Sequence, residues 1–432
     1  MKKRSFSGHV LQIFSTNVLT MIIVTVSGIV LPRLLTPEAL GRLNTFLATA
    51  AIVYSITFLG MRSSLVMHLG KEKFSNADTL RALRFVFLLS SSLSTLALLF
   101  FFFVLSSDSY PPDIILLVAL INPFAFIIAY MQGYNLASGQ IAKFNQLKWL
   151  PAALYLLAIL LFVGLLGWAV RGALIATILS NIVSIILYIS MGGIKTGNGS
   201  KGPPPWPVIR SLLAYGSLYA LAYLATRLNH KIDILLMKRL CELKEVGFYS
   251  LGANVAETLW QVPIAIGLML MTRTASEKDE RNSTNEVCAS LRISLLLVAS
   301  AAVLLYLFAP VLVALLFGER YAASVPVIRT ILPGILFFVI LKILNSQFIG
   351  SGKPQLTLIA LLPALLLNIA ANLILIPRYG GRGAALATDL SYLGASLLLL
   401  LVYSKTFGIG PLEVFHYRKS DFVFLKKLRF KK

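Results

Sequence analysis

Apolar stretches of about 20 residues recur along this chain from end to end, and that recurrence leaves few folds open. About 20 residues of helix are needed to cross a bilayer core of roughly 30 Å. Lipid offers backbone amides no partners, so segments of this kind must be helices. Twelve such runs can be counted, at roughly 10–31, 40–61, 84–105, 114–136, 149–168, 171–191, 209–237, 246–271, 292–316, 325–349, 355–376 and 383–403. The chain therefore reads as an all-α polytopic membrane protein. A composition of 57% hydrophobic and only 13% charged residues fits that class.

The net charge of +22 raises the question of nucleic acid, which the distribution of the charge answers. With a cytoplasmic N-terminus, the inner segments hold 26 of the 39 Lys and Arg residues. The outer loops hold Arg33, Arg42, Arg171, Lys238, Arg239, Lys244, Arg320, Arg378 and Arg382, and SSDSYPPD (106–113) has no base at all. This is the positive-inside bias, with both termini cytoplasmic. Basic charge reports topology here, and no nucleic-acid partner is expected. The first run is too long for a signal-peptide core and lacks a small-residue cleavage site, so it reads as an uncleaved span. Cys241 and Cys288 fall on opposite sides of the membrane in this topology and cannot pair.

The chain repeats itself. LPRLLTPEALGRLN (31–44) aligns with MKRLCELKEVGFYS (237–250) at an offset of 206, and RGALIATILS (171–180) with RGAALATDLS (382–391) at 211. Each half carries six runs, so both enter the membrane with the same orientation. The expected architecture is twelve transmembrane helices in two parallel six-helix bundles, related by a pseudo-two-fold axis along the membrane normal, with a substrate path between them. The bundles are expected at 1–194 and 208–404, with KTGNGSKGPPPWP (195–207) as a cytoplasmic linker and 405–432 as a basic cytoplasmic tail. That tail, which ends in YRKSDFVFLKKLRFKK (417–432), could lie on the anionic inner leaflet or remain solvated.

LLTPEALGRLNTF after the first run, IDILLMKRL…EVGFYSLGANV over the seventh and eighth, and LNIAANLILIPRYGGRGAALATDLSY over the last two carry a resemblance. They look like the polysaccharide-exporter branch of the multidrug/oligosaccharidyl-lipid/polysaccharide (MOP) superfamily, which includes the O-antigen and related lipid-linked-oligosaccharide flippases. The resemblance covers almost the whole chain and rests on glycine and apolar patterns at turns, so it names no sugar. It implies a V-shaped pair of bundles around a cavity that opens alternately to the two sides of a bacterial inner membrane. The implied substrate is an undecaprenyl-pyrophosphate-linked glycan, with polysaccharide-assembly proteins as further partners and no cofactor.

The charges inside the spans carry the mechanism. YLATRLNHKIDILLM (223–237) places Arg227 and Lys231 one turn apart on one face with Tyr223, and His230 beside them. A charged side chain at a helix centre costs about 2.5–3.5 kcal/mol on insertion scales. The cations are therefore expected to face a wet interior, where Arg and Lys suit a pyrophosphate. The repeat maps them to Met21 and Thr25, so this chemistry belongs to the second half. Arg329 and Lys342 in the tenth run are expected to join them in binding substrate. Asp233, Glu257 and Asp389 are candidates for proton or sodium coupling or for salt bridges, Glu257 pairing with Lys231 or Arg227. The plainer readings are snorkelling for Lys231 and Asp233 and a helix-start role for Asp389. Asn122, Asn368 and Asn372 read as interhelical hydrogen bonds. His9, His68 and His416 suggest no metal site.

No GxSxG, HExxH, GxxxxGK[ST] or CxxC motif is present, and GGRGAA (380–385) opens a membrane helix without a preceding strand. An enzyme is not expected. A membrane glycan polymerase or ligase would need a large outer loop, and none exceeds about a dozen residues. A drug/cation antiporter of the same superfamily would want an acidic cavity, whereas this one leans basic. A lipid II flippase shares the pyrophosphate and is hard to separate.

Overall fold

The computed structural model describes residues 6–70, 74–106, 110–137, 149–190, 205–277, 279–353, 355–418 and 421. In chain order its helices are α1 (Phe6–Leu34), α2 (Pro37–Thr57), α3 (Met61–Gly70), α4 (Asn76–Phe100), α5 (Pro112–Ala137), α6 (Trp149–Ile159) and α7 (Ala169–Ser190). There follow α8 (Trp206–Leu240), α9 (Leu243–Glu257), α10 (Gln261–Ser276), α11 (Glu280–Phe317), α12 (Ser324–Gly350) and α13 (Leu356–Phe407). Among the described residues, eight helical stretches are long and apolar enough to cross a membrane, and Val18–Leu34 and Trp149–Leu165 are shorter apolar helices. One of the eight, α13, is two helices joined at a kink, where Gly380 takes φ 55° and ψ −131°. Adding the charge-bearing α8, all twelve predicted runs are helical. The chain is an all-α, multi-pass membrane protein.

Two runs are less simple than expected. The eighth divides into α9 and α10 around a 3-10 turn at Thr258–Trp260. Pro263 supplies no N–H to the carbonyl four residues earlier, which favours the tighter turn. The second run stops at Thr57, with positive φ at Leu59 and Gly60, before α3 begins. Here the turn before α3 meets the first part of α8 at backbone contact: a Cβ on Gly60 would lie 2.2 Å from the Gly216 oxygen, and one on Gly216 would lie 2.2 Å from the Leu59 oxygen. Only glycine fits at either position.

The internal repeat is visible in the helix breaks. α1 ends at Leu34 and α2 begins at Pro37, while α8 ends at Leu240 and α9 begins at Leu243, the same 206-residue offset. Both breaks turn on an extended residue, Thr36 at φ −73°, ψ 157° and Glu242 at φ −66°, ψ 148°. Thr36 also accepts from the Ala39 N–H at 3.2 Å as an N-cap, with Pro37 pre-set for the first helical position.

The chain forms two compact units, Met1–Arg227 and Leu228–Lys432, and the division falls within α8. In the first, α5 packs against α2, α3, α4 and α7. Asn122 of α5 donates to the Ala50 oxygen at 2.9 Å and to Ser94 Oγ at 2.8 Å, the interhelical bonds its position suggested. The opening turns of α8 belong to this unit, since Ser64 Oγ donates to the Leu212 oxygen at 2.7 Å and Val208, Ile209 and Leu212 are buried against α2–α5. In the second unit α12 is the central helix, in contact with α9, α10, α11 and α13. Asn368 and Asn372 lie there, but Asn372 Nδ2 bonds the Asn368 oxygens along α13 instead of reaching another helix. Cys241 and Cys288 are both free. Most of the expected linker 195–207, and the tail beyond Asp421, lie outside the described residues.

Candidate functional site

The charged stretch of α8 is held differently on either side of Arg227. On the first unit's side, Tyr54 and Phe58 at the end of α2 and Phe126 and Tyr130 of α5 form a run of near-parallel rings, with centroids 4.8–6.5 Å apart. Tyr223 stands against this run, 6.4 Å from both Tyr54 and Phe58. Its hydroxyl accepts from Arg227 Nε at 2.9 Å, and the guanidinium carbon lies 5.1 Å from the Tyr223 ring centre. The arginine is thus fixed by one nitrogen and one π face to a residue one turn earlier. Its two terminal nitrogens keep the geometry for gripping two oxygens of an anion.

In the second unit His230 enters a matching aromatic cluster. His230 Nδ1 lies 2.9 Å from the Tyr392 hydroxyl. The imidazole is 5.0 Å from Trp260 and 6.0 Å from both Phe338 and Tyr392. Trp260 in turn stacks on Phe338 at 4.3 Å. Phe126 and Phe338 occupy equivalent places on α5 and α12, 212 residues apart and so within one residue of the 211-residue offset of the second repeat block. Each half therefore builds a ring cluster where its second span is interrupted. Sequence reasoning missed these rings, because aromatic residues in apolar runs carry no signal of their own; only Phe126 and Phe338, through the offset, could have been paired in advance.

Of the three acids singled out in the second unit, Asp233 and Asp389 are engaged by hydrogen bonds. Asp233 is buried, accepting the Ile234 N–H at 2.8 Å on one oxygen and the Tyr249 hydroxyl on the other. Glu257 and Asp233 both feel the charge of Lys231, and they repel each other. No carboxylate of a described residue lies within 4.0 Å of the Lys231 nitrogen, so the expected direct pair with Glu257 is not formed. Lys231 instead acts on both carboxylates at longer range. Asp389 has a role the sequence hinted at less: its Oδ1 accepts from the Gly334 N–H of α12 at 3.0 Å. A Cβ on Gly334 would fall 2.0 Å from that oxygen, so the bond requires glycine opposite it.

Arg329 and Lys342 are not brought together with these groups by any contact. Thirteen residues apart on α12, they point to nearly opposite faces at 100° per residue. Arg329 is drawn to α11, where its Nε donates to the Tyr306 oxygen at 3.1 Å. Lys342 lies beside α10, with its Cγ 4.0 Å from where a Cβ on Gly267 would be. Asn229, one turn before Asp233, donates to Ser391 Oγ at 2.9 Å and is a site residue that sequence reasoning passed over. Among the described residues no group of His, Cys, Asp and Glu is arranged to hold a metal ion.

The sequence pattern of polysaccharide biosynthesis proteins matches residues 30–326, well over half of the chain. The chain belongs to the polysaccharide biosynthesis protein family. That family is the polysaccharide-exporter branch of the MOP superfamily which the turn motifs resembled. A Shigella flexneri protein described as a candidate O-antigen transporter is 24% identical over 241 residues, a match spanning 56% of each chain. Two solved structures share the fold. An inward-facing multidrug resistance MATE family transporter of the MOP superfamily has a TM-score of 0.74 at 14% identity, over 92% of this chain and 98% of that one. The lipid II flippase MurJ, in an inward closed conformation, has a TM-score of 0.71 at 14% identity, over 96% and 95%.

Proposed function

We propose that this member of the polysaccharide biosynthesis protein family is a flippase. It turns an undecaprenyl-pyrophosphate-linked oligosaccharide, a surface-polysaccharide or O-antigen unit, from the inner to the outer leaflet of a bacterial cell membrane by alternating access. The observation that carries the reading is the pair of cations one turn apart on α8, Arg227 held by the Tyr223 hydroxyl at 2.9 Å and Lys231 without a close acid. Two cations on one helix face suit a pyrophosphate, whose oxygens accept several charge-assisted hydrogen bonds at once. A cationic drug would be repelled by the same groups, which argues against the antiporter reading. Family membership and the fold shared with a lipid II flippase support transport of a lipid-linked glycan.

Asp233, Glu257 and Lys231 form the coupling element in this reading. A change in the position of Lys231 as the cavity opens alters the field on both carboxylates, and so their hold on a proton or sodium ion. Asp389 belongs to the frame that holds α12 against α13. Both termini are cytoplasmic in this reading, supported by the distribution of Lys and Arg.

The test uses the full chain in proteoliposomes loaded with undecaprenyl-pyrophosphate-linked glycan in one leaflet. Flipping is read as glycan newly accessible to a membrane-impermeant glycosidase. Protein-dependent exposure is expected, accelerated by a proton or sodium gradient. Absence of exposure, together with protein-dependent efflux of a cationic dye, would replace this reading with the drug antiporter. Equal handling of lipid II and of a branched surface glycan would leave the lipid carrier as the recognised part.

A further inference from the structure

The two halves of the chain differ in charge at one end, where α1 gives way to α2 and α8 to α9. By sequence, the first half sets Arg33, Arg42 and Arg171 there against Glu38, Asp108 and Asp113. Arg42 pairs with Glu38 at 3.1 Å and Arg171 with Asp113 at 2.5 Å. The second half sets Lys238, Arg239, Lys244, Arg320, Arg378 and Arg382 against Glu242, Glu245 and Glu319, an excess of three positive charges. The internal repeat locates the difference. Lys244 stands 206 residues after Glu38 and reverses its charge. Arg382 stands 211 residues after Arg171, but α12 begins at Ser324 where α5 begins at Pro112, so Val325 takes the place of Asp113.

Arg239, Lys244, Arg378 and Arg382 are exposed, and none forms an ion pair among the described residues. Glu245, next to Lys244, is turned to the α13 kink instead, with its Oε2 3.2 Å from where a Cβ on Gly380 would be. That contact sets the first turn of α9 against the segment carrying Arg378 and Arg382, so these bases share one end of the unit. Arg239 lies in the last turn of α8, just before the break to α9. All four fall between the apolar runs 209–237 and 246–271 or between 355–376 and 383–403, where spans end and headgroups begin. Membrane proteins keep Lys and Arg mainly on the cytoplasmic side, and this end is the outer one in the topology read from charge. An unpaired excess of base there calls for an anion.

We infer that this end of the second unit is a holding site for the diphosphate of the lipid-linked glycan once it has crossed. Arg239, Lys244, Arg378 and Arg382 offer charge and several N–H donors to the phosphate oxygens. A phospholipid phosphodiester carries a single negative charge and a diphosphate more than one, so the diphosphate matches the excess of base better. The inference takes its substrate from the flippase reading but does not need the α8 cations. Phospholipids also present phosphate at this level, and the experiment separates the two sources.

The full chain carrying Arg227→Gln and Lys231→Gln, which removes the α8 cations, is purified and incubated with undecaprenyl pyrophosphate or phosphatidylglycerol. Native mass spectrometry is expected to show that it still retains undecaprenyl pyrophosphate. Adding Arg239→Gln, Lys244→Gln, Arg378→Gln and Arg382→Gln should lower that retention at least about ten-fold, and phosphatidylglycerol retention by less than about three-fold. These four side chains are exposed, so the melting midpoint should hold. Lys244→Glu with Val325→Asp, which gives the second unit the acids of the first, should also weaken retention with all three arginines in place. The proposal is overturned if either set of substitutions leaves undecaprenyl pyrophosphate retention unchanged, or if phosphatidylglycerol is lost to the same extent. Complete loss of retention on removing the α8 cations alone overturns it too. Retention that depends on the four bases, in a chain that exposes no glycan in the flipping assay, would uphold the site and overturn the flippase reading alone.

Discussion

The second unit ties its C-terminal segment to α11 through one buried ion pair, and this pair should dominate the stability of that segment. Arg292 and Asp421 are only 3% and 5% exposed. Nε and Nη2 of the arginine donate to the two carboxylate oxygens at 2.6 and 2.8 Å, and Nη1 donates to the Val414 oxygen at 3.1 Å. The Tyr417 hydroxyl donates back to the Arg292 oxygen at 3.3 Å, and Asp421 also accepts the Arg418 N–H at 2.9 Å. Removing one partner of a buried pair costs about 3–5 kcal/mol, because the other charge stays buried alone. That corresponds to a roughly 150- to 4,000-fold rise in the open population of the segment. Arg292→Leu should therefore expose residues 408–421 in hydrogen-exchange mass spectrometry and speed tryptic cleavage after Arg418. Arg292→Leu with Asp421→Leu should recover most of the protection, since two apolar side chains leave no orphan charge. The Arg292 guanidinium, bonded to both carboxylate oxygens, holds Asp421 below the usual carboxylate range. A lowered folded value means that this contribution is complete above the unfolded value of about 3.9 and is lost as pH falls through the folded one. Protection should hold from neutral pH to about 5 and fall away below about 4. Unchanged exchange in Arg292→Leu, or a double variant no better protected than either single one, would refute the reasoning.

Other outcomes follow from the same structure. Gly334→Ala should destabilise the chain by about 1–3 kcal/mol, read as a lower melting midpoint in detergent, because the new Cβ meets Asp389 Oδ1 at 2.0 Å. Adding Asp389→Ala should restore part of the stability. Tyr249→Phe leaves one oxygen of the buried Asp233 without its donor and should cost about 1–3 kcal/mol by the same measurement. Tyr223→Phe removes the anchor of Arg227 Nε and should raise the KM for lipid-linked glycan about three-fold, with the maximal rate nearly unchanged.

Much of the fold was legible in the sequence because the bilayer enforces it. Run length marked all twelve helices, and the 206-residue offset marked the paired breaks at Thr36 and Glu242. What escaped was decided by single residues within apolar runs. Pro263 divides the eighth run, Gly380 replaces a loop with a kink, and Pro310 frees the carbonyl that draws Arg329 to α11. At the candidate site, the charge pattern of α8 identified Arg227, His230, Lys231 and Asp233 by their cost in lipid. It could not reveal that Tyr249 would satisfy Asp233, or that Trp260, Phe338 of α12 and Tyr392 of α13 would enclose His230. Those partners lie far along the chain, and no local periodicity links them. Asp389 was visible as a charge, but its acceptor role depends on Gly334, 55 residues earlier.

The central claim is that Arg227 and Lys231 engage the phosphorylated carrier. Its most direct test is the charge reversal Arg227→Glu with Lys231→Glu, in cells or proteoliposomes, scored by lipid-linked glycan reaching the outer leaflet, with the melting midpoint as a check on folding. Without the two charge-assisted hydrogen bonds to phosphate, the rate should fall at least about ten-fold in a protein that still folds. Undiminished delivery of glycan by a folded double variant would contradict the account.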